Sequence, residues 1–209
     1  MATTDADRAY EQIKKRIVTV EMEPGSVIRE ASLMQELKLG RTPIREALKR
    51  LQSEDLVNVT PRRGMFVAGI AITDLTQIYE IRVELESLCV YLAAERITVE
   101  QLDEMRQLLD QYQSLDKGDL QALFSLDHCL HSLLAQASGN KFLQNEIERF
   151  YNLSLRIWHV AIQNVTCEDV DVGAHLDILN AIEAHDPVLA RQRMRRHIEH
   201  FHASVRQYL

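Results

Sequence analysis

Asp127 and His131 stand four residues apart in the stretch ALFSLDHCLHSLLAQASGN, on the same helical face as Leu123, Phe124, Leu130 and Leu134. A carboxylate buried alone costs on the order of several kcal/mol, so an inward Asp127 needs a partner. Spacing of i, i+4 places a carboxylate and an imidazole one turn apart, where both can converge on one ion. Two further histidines also lie on apolar stripes: His175 in line with Leu179 and Ile182, and His197 with Ala190, Met194 and Phe201. A single inward histidine is more often a hydrogen-bonded core residue than a ligand. Three of them with an aspartate make a metal site if their helices are neighbours, and that adjacency is a matter of tertiary structure.

A second chemistry lies in GRTPIREALKRL, Gly40 to Leu51. Ile44, Ala47, Leu48 and Leu51 recur at i, i+3, i+4 and i+7, the stripe of a helix on a small core. The first turn carries Arg41, Thr42 and Arg45 where the helix dipole favours acids. Thr42, Glu46, Lys49 and Ser53 face away from the stripe. Such a turn suits insertion into a major groove, where guanidinium bonds guanine and backbone N–H groups meet phosphate. Arg62 and Arg63, on a hairpin tip held by Gly64, can reach the nearby backbone or minor groove. The bland alternative is a solvated cationic face. The preceding short helix, the turn and the basic hairpin all favour the groove.

These side chains need elements to position them. A helical pattern runs from Asp5 to Val20 and ends at Pro24-Gly25. Val27-Ile28 is short and β-branched, a second short helix fits Glu30 to Leu37, and Gly40 and Pro43 suit the start of the helix with the basic turn. LVNVTPRRGMFVAG then reads strand, turn, strand, with Val57 and Val59 before Pro61–Gly64 and Phe66-Val67 after it. Three helices and a basic hairpin predict a winged helix-turn-helix over residues 1–70. Residues 71–209 are predicted to form an antiparallel all-α bundle, with helices near 73–97, 98–115, 118–137, 140–165, 171–185 and 188–208. Its breaks fall at Lys117-Gly118, Ser138–Asn140, Glu168–Asp171 and Asp186-Pro187. The fold class is mainly α.

Composition agrees with two modules. The chain of 209 residues has a net charge of −7, unpromising for a nucleic-acid binder until it is divided. Residues 1–70 hold twelve Lys/Arg against ten Asp/Glu, the remainder twelve against twenty-one, and residues 38–63 alone carry a balance of +4. A compact basic face on an acidic chain marks a reader and a partner module. The polar start at Met1–Asp7 is no signal peptide, and no stretch is apolar enough to span a bilayer, so a cytoplasmic protein is expected. Cys89, Cys129 and Cys167 are odd in number and far apart, as expected of buried thiols in a reducing compartment.

The stretch PGSVIREASLMQELKLGRTPIREALKRLQSEDLVNVTPRRGMFVAGI closely resembles the GntR-type bacterial transcription regulators, a match over residues 6–70. It implies base or phosphate contacts by Arg41, Thr42 and Arg45, with wing contacts around Arg63 and Gly64. The family's usual Gly-Val-Ser ahead of that arginine is Lys38-Leu39-Gly40 here, and Ala31 stands where a basic residue is frequent, so operator sequence does not transfer. Residues 73–208 resemble the FCD ligand-binding domain of the FadR-type branch, on Asp127-x3-His131 followed by LLAQASGN. That resemblance implies a divalent metal held by Asp127, His131, His175 and His197, with open positions for water or an effector. Imidazole-rich ligation favours transition metals, Zn²⁺ by default with Ni²⁺ or Mn²⁺ as alternatives. Arg82 matches an arginine that the family places in the effector cavity, and its alternative role is a salt bridge to Glu86. Arg156 is a second candidate anchor for a small carboxylate effector. Because one recognition helix makes few contacts, a homodimer on a palindromic duplex operator is expected. A purely structural metal is the alternative within the same regulator. A metal-dependent hydrolase would need a general base, and neither His128 nor Glu146 belongs to a motif that supplies one.

Overall fold

A computed structural model describes residues 3–115, 119–161 and 172–206. Among them the order is α1 (Asp5–Val18), β1 (Val27–Ile28), α2 (Glu30–Leu37), α3 (Arg41–Ser53), β2 (Val57–Thr60) and β3 (Gly64–Val67). Six further helices follow: α4 (Ile72–Arg96), α5 (Val99–Ser114), α6 (Leu120–Ala137), α7 (Lys141–Ala161), α8 (Val172–Glu183) and α9 (Pro187–Arg206). The chain divides into two compact units, one of residues 1–71 with 155–160, the other of residues 72–154 with 161–209. The breaks expected at Lys117-Gly118 and Glu168–Asp171, and Cys167, lie outside the described residues.

In the first unit, Thr4 and Asp7 cap α1 reciprocally: Thr4 Oγ1 accepts from the Asp7 amide, and the Asp7 carboxylate accepts from the Thr4 amide. Ala9, Tyr10, Ile13 and Ile17 bury one face of α1 against α3, which contributes Ile44, Ala47, Leu48 and Leu51. The helix stops at Val18, two residues short of the expected Val20, because Val20 takes a left-handed φ of 60° and turns the chain before Pro24 is reached. Three short antiparallel strands form a sheet in the order β1-β3-β2, with Val57 opposite Val67 and Thr60 opposite Gly64. The result is a helix-turn-helix with a hairpin wing.

The second unit is all helical. Helix α4 touches α6, α8 and α9, so it is buried along much of its length, with Val83, Cys89, Val90, Ala93 and Ala94 in the core. Helix α5 packs on α6 and α8 through Met105 and Leu109, and α9 contributes Ala190, Met194 and Ile198. The predicted break Ser138–Asn140 is built from a left-handed Gly139 and from Asn140 Oδ1, which accepts from the amides of Phe142 and Leu143 to start α7. Asp186 does the same for α9 by accepting from the Leu189 amide, and Pro187 occupies the first turn without cost. Thr98 and Gln101 form a capping box on α5. Thr98→Ala is expected to lower stability by about 1 kcal/mol, measured as an earlier urea midpoint in far-UV circular dichroism. An unchanged midpoint would contradict that role. The expectation of buried cysteines fails at Cys129, which is exposed; Cys89 is buried.

Candidate metal centre and nucleic-acid face

Helix packing in the second unit brings Asp127 and His131 of α6, His175 of α8 and His197 of α9 together. One potential ligand atom from each lies within 4.8 Å of all the others. The rings of His175 and His197 are 4.4 Å apart between centroids, and those of His131 and His197 are 5.5 Å apart. His131 and His175 are buried, and Asp127 retains 17% side-chain exposure. Nε2 of His175 sits 3.0 Å from Asp127 Oδ1, at an angle that makes no hydrogen bond. Nε2 of His131 is also buried without a hydrogen-bond partner, 3.9 Å from Asp127 Oδ2. Orphaned buried nitrogens converging on a carboxylate are costly unless something fills the space between them. A divalent cation fits that donor set.

Neighbouring side chains hold these ligands in place. On α4, Glu86 Oε2 lies 2.5 Å from His131 Nδ1, an ion-pair contact that places a carboxylate behind the ring on the side away from Nε2. Arg82 Nε donates to the other oxygen of Glu86 at 2.5 Å, and its Nη1 donates to Ser154 Oγ at 2.8 Å. Tyr151 of α7 donates to Asp127 Oδ2 at 2.5 Å, and Tyr112 of α5 meets the His175 ring edge-on. Neither Tyr151 nor Glu86 was recognised from sequence as a supporter of the cluster. Glu86 was visible there only as an ion-pair partner for Arg82.

Charges in the cluster are strongly perturbed. Burial alone would raise Asp127, but His131 and His175 hold it well below the usual carboxylate range. Burial likewise opposes ionisation of Glu86, and Arg82 with His131 outweighs it, bringing the carboxyl to about 2. Burial would lower His131, yet Glu86 and Asp127 raise it. His197 is driven well down by burial and by the other two imidazoles. Two carboxylates, Asp127 and Glu86, thus set a negative field around the imidazoles, and a cation between them suits that field.

Arg82 is buried beside this cluster in the salt bridge to Glu86 that its spacing allowed. Arg156 falls in the unit of the winged helix, where its guanidinium Nη2 donates to the carbonyl of Ala68 just after β3 at 2.5 Å. His128 is held by Glu148 at 2.8 Å, and Glu146 pairs with Arg149 on the surface.

The nucleic-acid candidates all lie in the first unit. Arg41, Thr42, Arg45 and Lys49 are exposed on α3, whose N-terminus has no acid in its first turn and no side-chain cap from Gly40. Arg45 Nε reaches both oxygens of Glu30, at 3.0 and 2.9 Å, which orients it from α2. Pro61, Arg62 and Arg63 form the hairpin tip, with Arg62 in a left-handed conformation and the Arg63 amide donating to Thr60 at 3.1 Å. Gly64, with φ of 101°, closes a turn that an L side chain would strain.

Known proteins share both units. The family model for bacterial regulatory proteins of the gntR family matches residues 5–67, and that for the FCD domain matches residues 77–200. The HTH-type transcriptional repressor RspR of Escherichia coli is 27% identical over 199 residues, covering 95% of this chain and 87% of RspR. An uncharacterized HTH-type regulator from an unstable DNA locus of Streptomyces ambofaciens is 30% identical over 191 residues, covering 90% of this chain and 80% of that protein. Among solved structures, E. coli McbR/YncC superposes with a TM-score of 0.87 at 24% identity over 99% of both chains, which speaks for the fold. A GntR regulator from Rhodococcus gives 0.75 at 20% identity over 96% of both. No helix among the described residues is long and apolar enough to cross a membrane. With an exposed basic recognition helix in the first unit and a helical effector domain in the second, this chain belongs to the GntR family of bacterial DNA-binding transcription regulators and carries an FCD domain.

Proposed function

We propose that this regulator, a member of the FadR-type branch, reads a palindromic operator in the cytoplasm as a homodimer and answers to a small carboxylate bound beside a divalent transition metal. The observation that carries the sensing half is the convergence of Asp127, His131, His175 and His197 within 4.8 Å, with three buried imidazole nitrogens of His131 and His175 left without a hydrogen bond. Zn²⁺ is the default ion, with Ni²⁺ or Mn²⁺ as alternatives. Held by Asp127, His131, His175 and His197, the ion would supply Lewis acidity toward a carboxylate. The protein's own residues do the rest. Glu86 backs His131 through a close contact at Nδ1, Tyr151 orients Asp127, and Arg82 holds Glu86 while adding positive charge beside the site. An effector that prefers one arrangement of the paired readers shifts the DNA-binding equilibrium by that preference.

On the reading side, Arg41, Thr42, Arg45 and Lys49 enter the major groove, and Arg62, Arg63 and Gly64 place the wing on the flanking backbone or minor groove. In vitro selection of random duplexes by the full-length protein should return an inverted repeat bound by two chains. Recovery of single half-sites bound by one chain would contradict the dimeric reader.

Glu86→Gln keeps the shape of the side chain and removes its charge. It is expected to weaken metal affinity about 10–100-fold, as loss of an outer carboxylate does for metal-bound histidine. Competition against a chromogenic chelator measures this, and unchanged affinity would show that Glu86 does not support His131.

A further inference from the structure

A cavity of about 390 Å³ lies between α8 and α9, and its lining includes His197, so it shares a wall with the Asp127–histidine cluster. Its size falls in the range of pockets for small molecules. Two arginines, Arg193 and Arg196, line it with the imidazole of His200, against one acid, Asp177. Asp177 is already paired with Arg193 at 3.4 Å. Arg196 makes no ion pair or hydrogen bond among the described residues, so its charge is available to a ligand. Arg193, His197 and His200 follow at i, i+4 and i+7, which puts them along one face of α9 with the metal-cluster residue in the middle. Gly173, in the first turn of α8, leaves that side of the cavity free of a side chain.

One anionic group at the cluster satisfies half of such a site. We propose that the cavity is a second anion subsite, so that the effector is a small dicarboxylate: one carboxylate faces the cluster past His197, and the other is held by Arg196 with His200. Guanidinium suits this task because it presents a planar pair of donors to a carboxylate. The inference rests on the metal-and-carboxylate reading above and adds the specificity that a monocarboxylate cannot meet.

Isothermal titration of the metal-loaded, full-length protein with acids of matched chain length tests it, using succinate against butyrate and glutarate against valerate. At least one diacid should bind about tenfold or more tightly than its matched monoacid. Arg196→Gln should erase that preference by weakening the diacid about tenfold, with monoacid affinity and metal content unchanged. Equal binding of the paired acids, or a preference that survives Arg196→Gln, overturns the subsite and leaves the carboxylate reading standing. Binding of no acid at all, with metal still present, overturns both.

Discussion

Arg45→Ala is expected to weaken operator binding by about thirtyfold or more while leaving the fold intact. A bidentate arginine–base contact contributes roughly 1–3 kcal/mol, and a dimer loses it twice, which makes about 2–6 kcal/mol if the half-sites act independently. The structural cost of the change is small. Arg45 is exposed, and its bridge to Glu30 is a surface pair, a class worth about 1 kcal/mol at most. That bridge uses Nε, which leaves both terminal nitrogens for a base edge or phosphate. Fluorescence anisotropy on the selected duplex at one fixed salt concentration measures the effect. Affinity equal to that of the wild type would remove Arg45 from the reading face.

His131→Ala is expected to abolish stoichiometric metal binding, a loss well beyond the roughly 10–100-fold that an outer partner costs. The substitution removes a ligand nitrogen and leaves Glu86 with Arg82 alone. His175→Ala tests the same cluster from α8, where no carboxylate of α4 is disturbed. A bound ion stabilises the folded state in proportion to the logarithm of its concentration over Kd, so chelation should lower the melting temperature of the wild type and not that of either variant. Atomic emission on dialysed protein reads the ion content directly. Full metal content in both variants would place the ion elsewhere.

Local periodicity carried much of this into the sequence. The stripe Ile44, Ala47, Leu48, Leu51 and the basic first turn are both set within one helix, so α3 and its exposed face were legible. Asp127 and His131 were legible for the same reason, one turn apart on an apolar face. The inward direction of His175 and His197 could be read, but their meeting depends on how α6, α8 and α9 pack, which no single-helix pattern encodes. The same limit hid Tyr151 and Glu86, whose contacts to Asp127 and His131 cross between helices. It also hid the Arg156 tie to Ala68, 88 residues away in the chain, and the cavity that α8 and α9 make together. Val20 shows a smaller limit: its left-handed turn ends α1 at a β-branched residue for which propensity favours no such conformation.

The most direct test of the central claim is X-ray absorption spectroscopy on the zinc-loaded, full-length protein. The account predicts a first shell of nitrogen and oxygen only, with imidazole scattering and Zn–N distances of about 2.0–2.1 Å. Protein that takes up no zinc, or a shell containing sulfur at about 2.3 Å, would contradict it.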